Sequence, residues 1–158
     1  MNRDARTLGP RAAPVATPKQ LGSKHNVTAT DRAVELAKVA AEAAAEKLAQ
    51  EIIAYDVSDQ LVITEAFVLC SAPNDRQVRS IVEEVEDQLR IQAGAKPVRR
   101  EGERDGRWVL LDYADIVVHI QHEEERGYYG LERLWKDCPE IELPEGARGA
   151  ERTPLDEQ

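Results

Sequence analysis

Phe67-Val68-Leu69-Cys70 is an unbroken apolar run that stops at Ala72-Pro73-Asn74. Without polar alternation, it suits a strand buried on both faces. Such a strand needs cover from other elements, and the chain supplies a helical pattern on each side of it. Before it, Ala33, Leu36, Ala37, Ala40, Ala44 and Leu48 recur at three- and four-residue spacing in an alanine-rich segment. Thr30 is placed to cap that helix, and Asp31 suits its first turn. The small side chains on its face allow close approach to a sheet or a second helix. After the run, Asn74 with Gln77 resembles a capping box. Val78, Ile81, Val82, Val85 and Leu89 then form one helical stripe, with Glu83, Glu84, Glu86 and Asp87 mainly off it. Gly94, followed by Pro97, predicts the stop.

The remaining segments read as strands and turns. Ile52 to Val57 predicts a strand, Ser58-Asp59 a turn, and Leu61-Val62-Ile63 the start of the apolar run that resumes at Phe67. Val98 opens a short strand, and Asp105-Gly106 is a hairpin signal. Trp108-Val109-Leu110-Leu111 and Ile116-Val117-Val118-His119-Ile120 are strands around a turn at Tyr113-Ala114-Asp115. A polar helical turn from Glu123 and a short amphipathic piece at Leu131, Leu134 and Trp135 complete the order α-β-β-α-β-β-β-α. That order predicts a single α/β domain with a mixed sheet of about five strands flanked by helices, one face covered more fully than the other. The domain is expected over 27–138. Residues 1–26, with three prolines and no periodicity, predict a disordered tail, and 139–158 an acidic flexible one.

Charge narrows the partners. Residues 1–26 carry five Lys/Arg and one Asp, and residues 138–158 carry two Arg and six Asp/Glu. The segment between them holds 14 basic and 23 acidic residues, so the expected core alone is at −9. A core this acidic is a poor phosphate binder, which argues against direct DNA binding and favours basic protein partners. No apolar run approaches the roughly 20 residues of a membrane span, and Leu8 and Leu21 sit among polar residues rather than in a secretory core. The expected location is the cytoplasm. Two cysteines, Cys70 and Cys138, make no disulfide framework and are expected to be reduced.

Catalytic signatures are missing. Neither G-x-G-x-x-G nor G-x-x-x-x-G-K-[ST] occurs, and there is no G-x-S-x-G elbow. Ser58 and Ser71 sit beside turn residues. His119 and His122 point to opposite faces if both lie on a strand, and neither cysteine has a neighbouring ligand, so no metal site is expected. Asp112 and Asp115 could hold Mg²⁺ for nucleotidyl transfer, but no phosphate-gripping loop accompanies them. Turn formation explains the pair more simply. The residues thus predict no enzyme and no cofactor.

Aromatic residues are scarce, yet four of the seven lie between Trp108 and Tyr129, with Trp135 close behind. Trp and Tyr favour interfaces because they bury much area at low entropy cost. The run Trp108-Val109-Leu110-Leu111-Asp112-Tyr113-Ala114-Asp115-Ile116-Val117-Val118-His119-Ile120 resembles the signature of the ribosomal silencing factors, or Iojap-related proteins. Arg126-Gly127-Tyr128-Tyr129-Gly130-Leu131-Glu132-Arg133-Leu134-Trp135 is similar to the family's R-x-[FY]-Y-x-L-E-x-L-W ending. Asp56-Val57, Phe67-Val68-Leu69 and Arg76-Gln77-Val78 match earlier elements. Glu65-Ala66 departs from the Asp-Tyr or Asp-Cys common before the phenylalanine.

The resemblance covers about residues 29–138 and implies a nucleotidyltransferase-like fold without enzymatic activity. It implies binding to the large ribosomal subunit through large-subunit protein fourteen, a steric block to subunit joining that represses translation when nutrients are short, and a homodimer when free. The alternatives are a nucleotidyltransferase-like enzyme and a large-subunit assembly factor. Family members commonly start near the position of Val27, which raises the hypothesis that 1–26 reflect a misassigned start. The expected contact residues are Trp108, Leu110, Asp112 and Tyr113, with His119 and Tyr129. Trp108, Leu110 and Asp112 share one strand face by period two.

Overall fold

A computed structural model describes residues 27–149. The tail expected over 1–26 and the last residues of the one expected over 139–158 lie outside that range. Helix α1 (Asp31–Glu46) starts where Thr30 accepts a hydrogen bond from the Ala33 amide. It buries far more than one stripe. Ala33, Leu36, Ala37, Val39, Ala40, Ala41, Ala43 and Ala44 are all inaccessible. The alanines account for this, since α1 packs on the sheet and on helix α2 (Asp75–Ala93) at once. Asn74 caps α2 through the Gln77 amide, as half of the expected box. The Gln77 side chain does not fold back. It donates to the Lys47 and Leu48 carbonyls and so ties the end of α1 to the start of α2. Gly94 ends α2 in the left-handed conformation that glycine adopts without strain.

Five strands form one mixed sheet. They are β1 (Gln50–Asp56), β2 (Ala66–Ala72), β3 (Arg99–Glu101), β4 (Trp108–Asp112) and β5 (Ile116–His122). Their spatial order is β1-β2-β5-β4-β3. Only the pairing of β2 with the central strand β5 is parallel, and both strands are buried along their whole length. β4 pairs antiparallel with β5 and with β3. The expected hairpin exists, but its loop runs from Gly102 to Arg107 rather than turning in two residues. Gly102 (φ 83°) and Gly106 (φ 71°) supply its left-handed positions. Helices α3 (Glu123–Tyr129) and α4 (Glu132–Trp135) follow β5, separated at Gly130, where the sequence predicts a polar helical turn and then a short amphipathic piece.

Period two sorts the strand residues onto two faces. Ala54, Val68, Cys70, Val109, Leu111, Ile116, Val118 and Ile120 meet α1 and α2 in the main core. Ile53, Tyr55, Phe67, Leu69, Leu110 and Val117 form a smaller cluster on the other face, roofed by Leu131, Trp135 and Cys138. One face is therefore covered fully and the other in part.

Two expectations are corrected. Leu61-Val62-Ile63 is a loop, not a strand. No strand among the described residues pairs with it, the Leu61 amide closes a turn onto the Val57 carbonyl, and Val62 and Ile63 stand exposed. The domain also does not end at 138. Ile141, Leu143 and Ala147 are buried, and 139–148 runs along the free edge of β1. Asp56 N–H donates to Pro139 O, Ile141 N–H to Ala54 O, and Ile52 N–H to Arg148 O. An unpaired edge strand is thereby closed. Asp56 secures the other approach: its buried carboxylate accepts from the Thr28, Ala29 and Ser58 amides and the Ser58 hydroxyl.

Candidate functional site

The partly open face carries a continuous series of rings. Trp135 meets Phe67 edge-on at 5.2 Å, and Phe67 meets His119 edge-on at 5.1 Å. His119 lies 6.1 Å from Trp108, Trp108 lies 5.2 Å from Tyr129, and Tyr129 lies 4.9 Å from Tyr128. The series starts half-buried at Trp135 and ends exposed, with Tyr129 at 54% and Tyr128 at 80%. Leu134 adds another exposed apolar side chain.

Cross-strand register builds the floor of this face. Trp108, Leu110 and Asp112 of β4 stand opposite Gln121, His119 and Val117 of β5, on the same side of the sheet. The loop before β4 then fixes Trp108. Arg107 donates 2.9 Å hydrogen bonds to both Glu124 and Glu125, and its carbonyl accepts from the His122 amide. These bonds hold α3, and with it Tyr129, against the indole. Through the bond from Arg107 and the nearby His122, the Glu124 carboxyl stays below its ordinary range. Gly102 approaches the same strand so closely that a Cβ there would lie 2.0 Å from the Trp108 carbonyl oxygen.

Trp108, Leu110, His119 and Tyr129 therefore lie together on this face. Asp112 sits at the margin with its carboxylate engaged. One oxygen accepts from the Ala114 amide at 2.8 Å, and the other faces Arg99 at 3.4 Å. Ala114 is left-handed (φ 71°), so Asp112 supports a strained turn. Tyr113 is a correction. It follows Asp112 by one position and so turns to the helix side, where it is buried in the main core. Its hydroxyl is pushed up by burial and then by Glu86. His119 is also inaccessible, at 6% exposure, and lies beneath the surface residues. Burial pulls its pKa down to about 4, so the imidazole is neutral. Phe67 and Tyr128 join the series without being among the expected contact residues; the spacing of Phe67 marks core, and only the register with β5 brings it to this face.

The two histidines diverge on β5. His122 Nδ1 accepts from the Glu124 amide at 3.1 Å and caps α3. Among the described residues no group of three or more His, Cys, Asp or Glu side chains is placed to hold a metal. Cys70 is free and buried, its thiol pushed up to about 12 by burial.

The model of the family described as "Ribosomal silencing factor during starvation" matches residues 30–158. The chain belongs to the ribosomal silencing factor family. It is 39% identical over 109 residues to the ribosomal silencing factor of Bacillus subtilis, an alignment covering 69% of this chain and 92% of that one. The chloroplastic protein Iojap of Zea mays is 32% identical over 115 residues, covering 71% of this chain but 46% of the longer plant protein. Among solved structures, a protein of Chromobacterium violaceum superposes with a TM-score of 0.62 at 33% identity, covering 65% of this chain and 84% of that one. One from Bacillus halodurans gives 0.60 at 36%, covering 69% and 98%.

The ring series offers apolar area with polar edges. The segment from Arg126 to Trp135 supplies both the exposed rings and the roof over the adjoining strands.

Proposed function

We propose that this protein binds the large ribosomal subunit through large-subunit protein fourteen, using the open sheet face, and blocks joining of the small subunit by occupying the contact surface. The observation that carries this reading is the position of Trp108. It is half-buried, braced by His119 and Tyr129, and shares its strand face with Leu110, while Tyr129 leads on to the exposed Tyr128. Binding energy at protein interfaces concentrates in such braced aromatic anchors. Family membership supplies the target class, and the net charge of −9 favours a basic ribosomal protein over rRNA phosphates. Repression of translation under starvation is then steric and needs no cofactor. In the free protein the same face pairs with a second copy, which keeps the rings from water; this part of the proposal predicts that large subunits and self-association compete.

The enzyme reading through Asp112 and Asp115 is disfavoured because Asp112 already serves the turn and Arg99. Co-sedimentation with large subunits is the test. Trp108→Ala should remain folded and stay in the supernatant while the parent chain pellets, and equal pelleting of both would reject this face. Comparing mature with precursor subunits separates silencing from an assembly role.

A further inference from the structure

We propose that His119 is a positioning residue: its Nδ1 fixes the angle at which Trp108 stands on the open face, and so sets the anchor that a partner meets. The inference rests on the proposed use of this face. The Trp108 Nε1–H donates to His119 Nδ1 at 3.1 Å. An accepting Nδ1 carries no proton, so the neutral ring must hold its hydrogen on Nε2. The ring itself cannot turn freely, because Phe67 packs edge-on against it at an interplanar angle of 81°. From α3, Tyr129 limits the indole on its other side. A half-exposed tryptophan without these supports would sample several rotamers and lose that freedom on binding.

The position argues for the same role. His119 stands in a buried strand among Val117, Val118 and Ile120, where an apolar side chain would pack without desolvation cost. His119 Nε2 has no protein partner among the described residues, so the one protein hydrogen bond the ring makes is the bond to Trp108. It shares its row with Leu110, the second residue expected at the contact surface. The histidine thus reaches the partner only through Trp108.

Three variants and one measurement on the unaltered protein test this. The chain has two tryptophans, so the Trp108 indole N–H is readily assigned by heteronuclear NMR. His119→Leu should move that resonance to the position of an indole without an acceptor, and weaken co-sedimentation with large subunits roughly three- to tenfold, the value of one hydrogen bond. His119→Asn, whose amide oxygen can take the place of Nδ1, should restore both. Should His119→Leu fail to fold, nitrogen shifts of the parent His119 still decide: Nδ1 must be unprotonated and Nε2 protonated. The reverse tautomer, an unmoved indole signal in His119→Leu, or full binding by His119→Leu would overturn the proposal. Full binding by Trp108→Ala would instead overturn the underlying reading of the face, leaving the tautomer and indole results intact.

Discussion

Arg126→Met should loosen the whole C-terminal roof of the open face. Arg126 is 4% exposed and is the only buried residue of α3. Its Nε donates to a Glu132 carboxylate oxygen at 3.1 Å, its Nη2 lies 3.0 Å from the same oxygen in an ion pair, and its Nη1 donates to the Gln50 carbonyl and the Ser71 hydroxyl at 3.3 Å each. One guanidinium therefore joins α3, α4, β1 and β2. Methionine fills similar volume but leaves Glu132 unpaired. Breaking a fully buried pair costs about 3–5 kcal/mol. Glu132 keeps 31% of its side-chain surface exposed, so water recovers part of that, and about 2–3 kcal/mol is expected. In a domain of this size that lowers the thermal midpoint by roughly 10 °C. Urea unfolding of both proteins measures it, and hydrogen exchange should show the largest loss of protection in α3 and α4. The double variant Arg126→Met/Glu132→Leu should recover much of the loss, since it leaves no charge stranded. A single-variant cost below about 1 kcal/mol, or no recovery in the double variant, would refute the assignment of Arg126 as the tie.

Other outcomes follow from single groups. Gly102→Ala should cost well over 2 kcal/mol and disturb β4, because the new methyl meets the Trp108 carbonyl, whereas Gly94→Ala, with nothing within 4 Å, should cost about 1 kcal/mol; equal costs in urea titrations would contradict this. His119 has a folded pKa of about 4 against an ordinary 6.5. The unfolded chain thus binds the extra proton first, so stability is complete above about pH 6.5 and falls as pH drops toward 4, by up to about 3 kcal/mol. His119→Asn should lack that component of the pH slope, and an unchanged slope would count against a buried neutral ring. Tyr113→Phe removes a buried hydroxyl that has no partner among the described residues. It should leave stability within about 1 kcal/mol and ribosome binding untouched, and a binding defect would return Tyr113 to the interface.

Much of this architecture was legible because it follows from short-range rules. Thr30 and Asn74 mark helix starts through their capping side chains, Gly94 marks a helix end through its left-handed backbone, and period two alone puts Trp108, Leu110 and Asp112 on one face. What escaped depends on distant backbone. The packing of 139–149 on β1 is made largely by main-chain hydrogen bonds, which leave no side-chain signature, and Pro144 and Gly146 disguise the buried Ile141, Leu143 and Ala147. Leu61-Val62-Ile63 has strand composition without a strand to pair with. Tyr113 lies one residue past the end of a strand whose alternation still governs it, and that sends it to the helix side. Phe67 reads as core in sequence and is core, yet parallel pairing with β5 sets it under the rings of the candidate site.

The most direct measurement of the central claim is subunit joining followed by light scattering, with purified large and small subunits and increasing amounts of this protein. The account predicts a saturable fall in joined particles when the protein meets large subunits first. It also predicts that the folded Trp108→Ala variant restores joining to the level without factor. Joining unaffected by the parent chain, or blocked equally by Trp108→Ala, would contradict it.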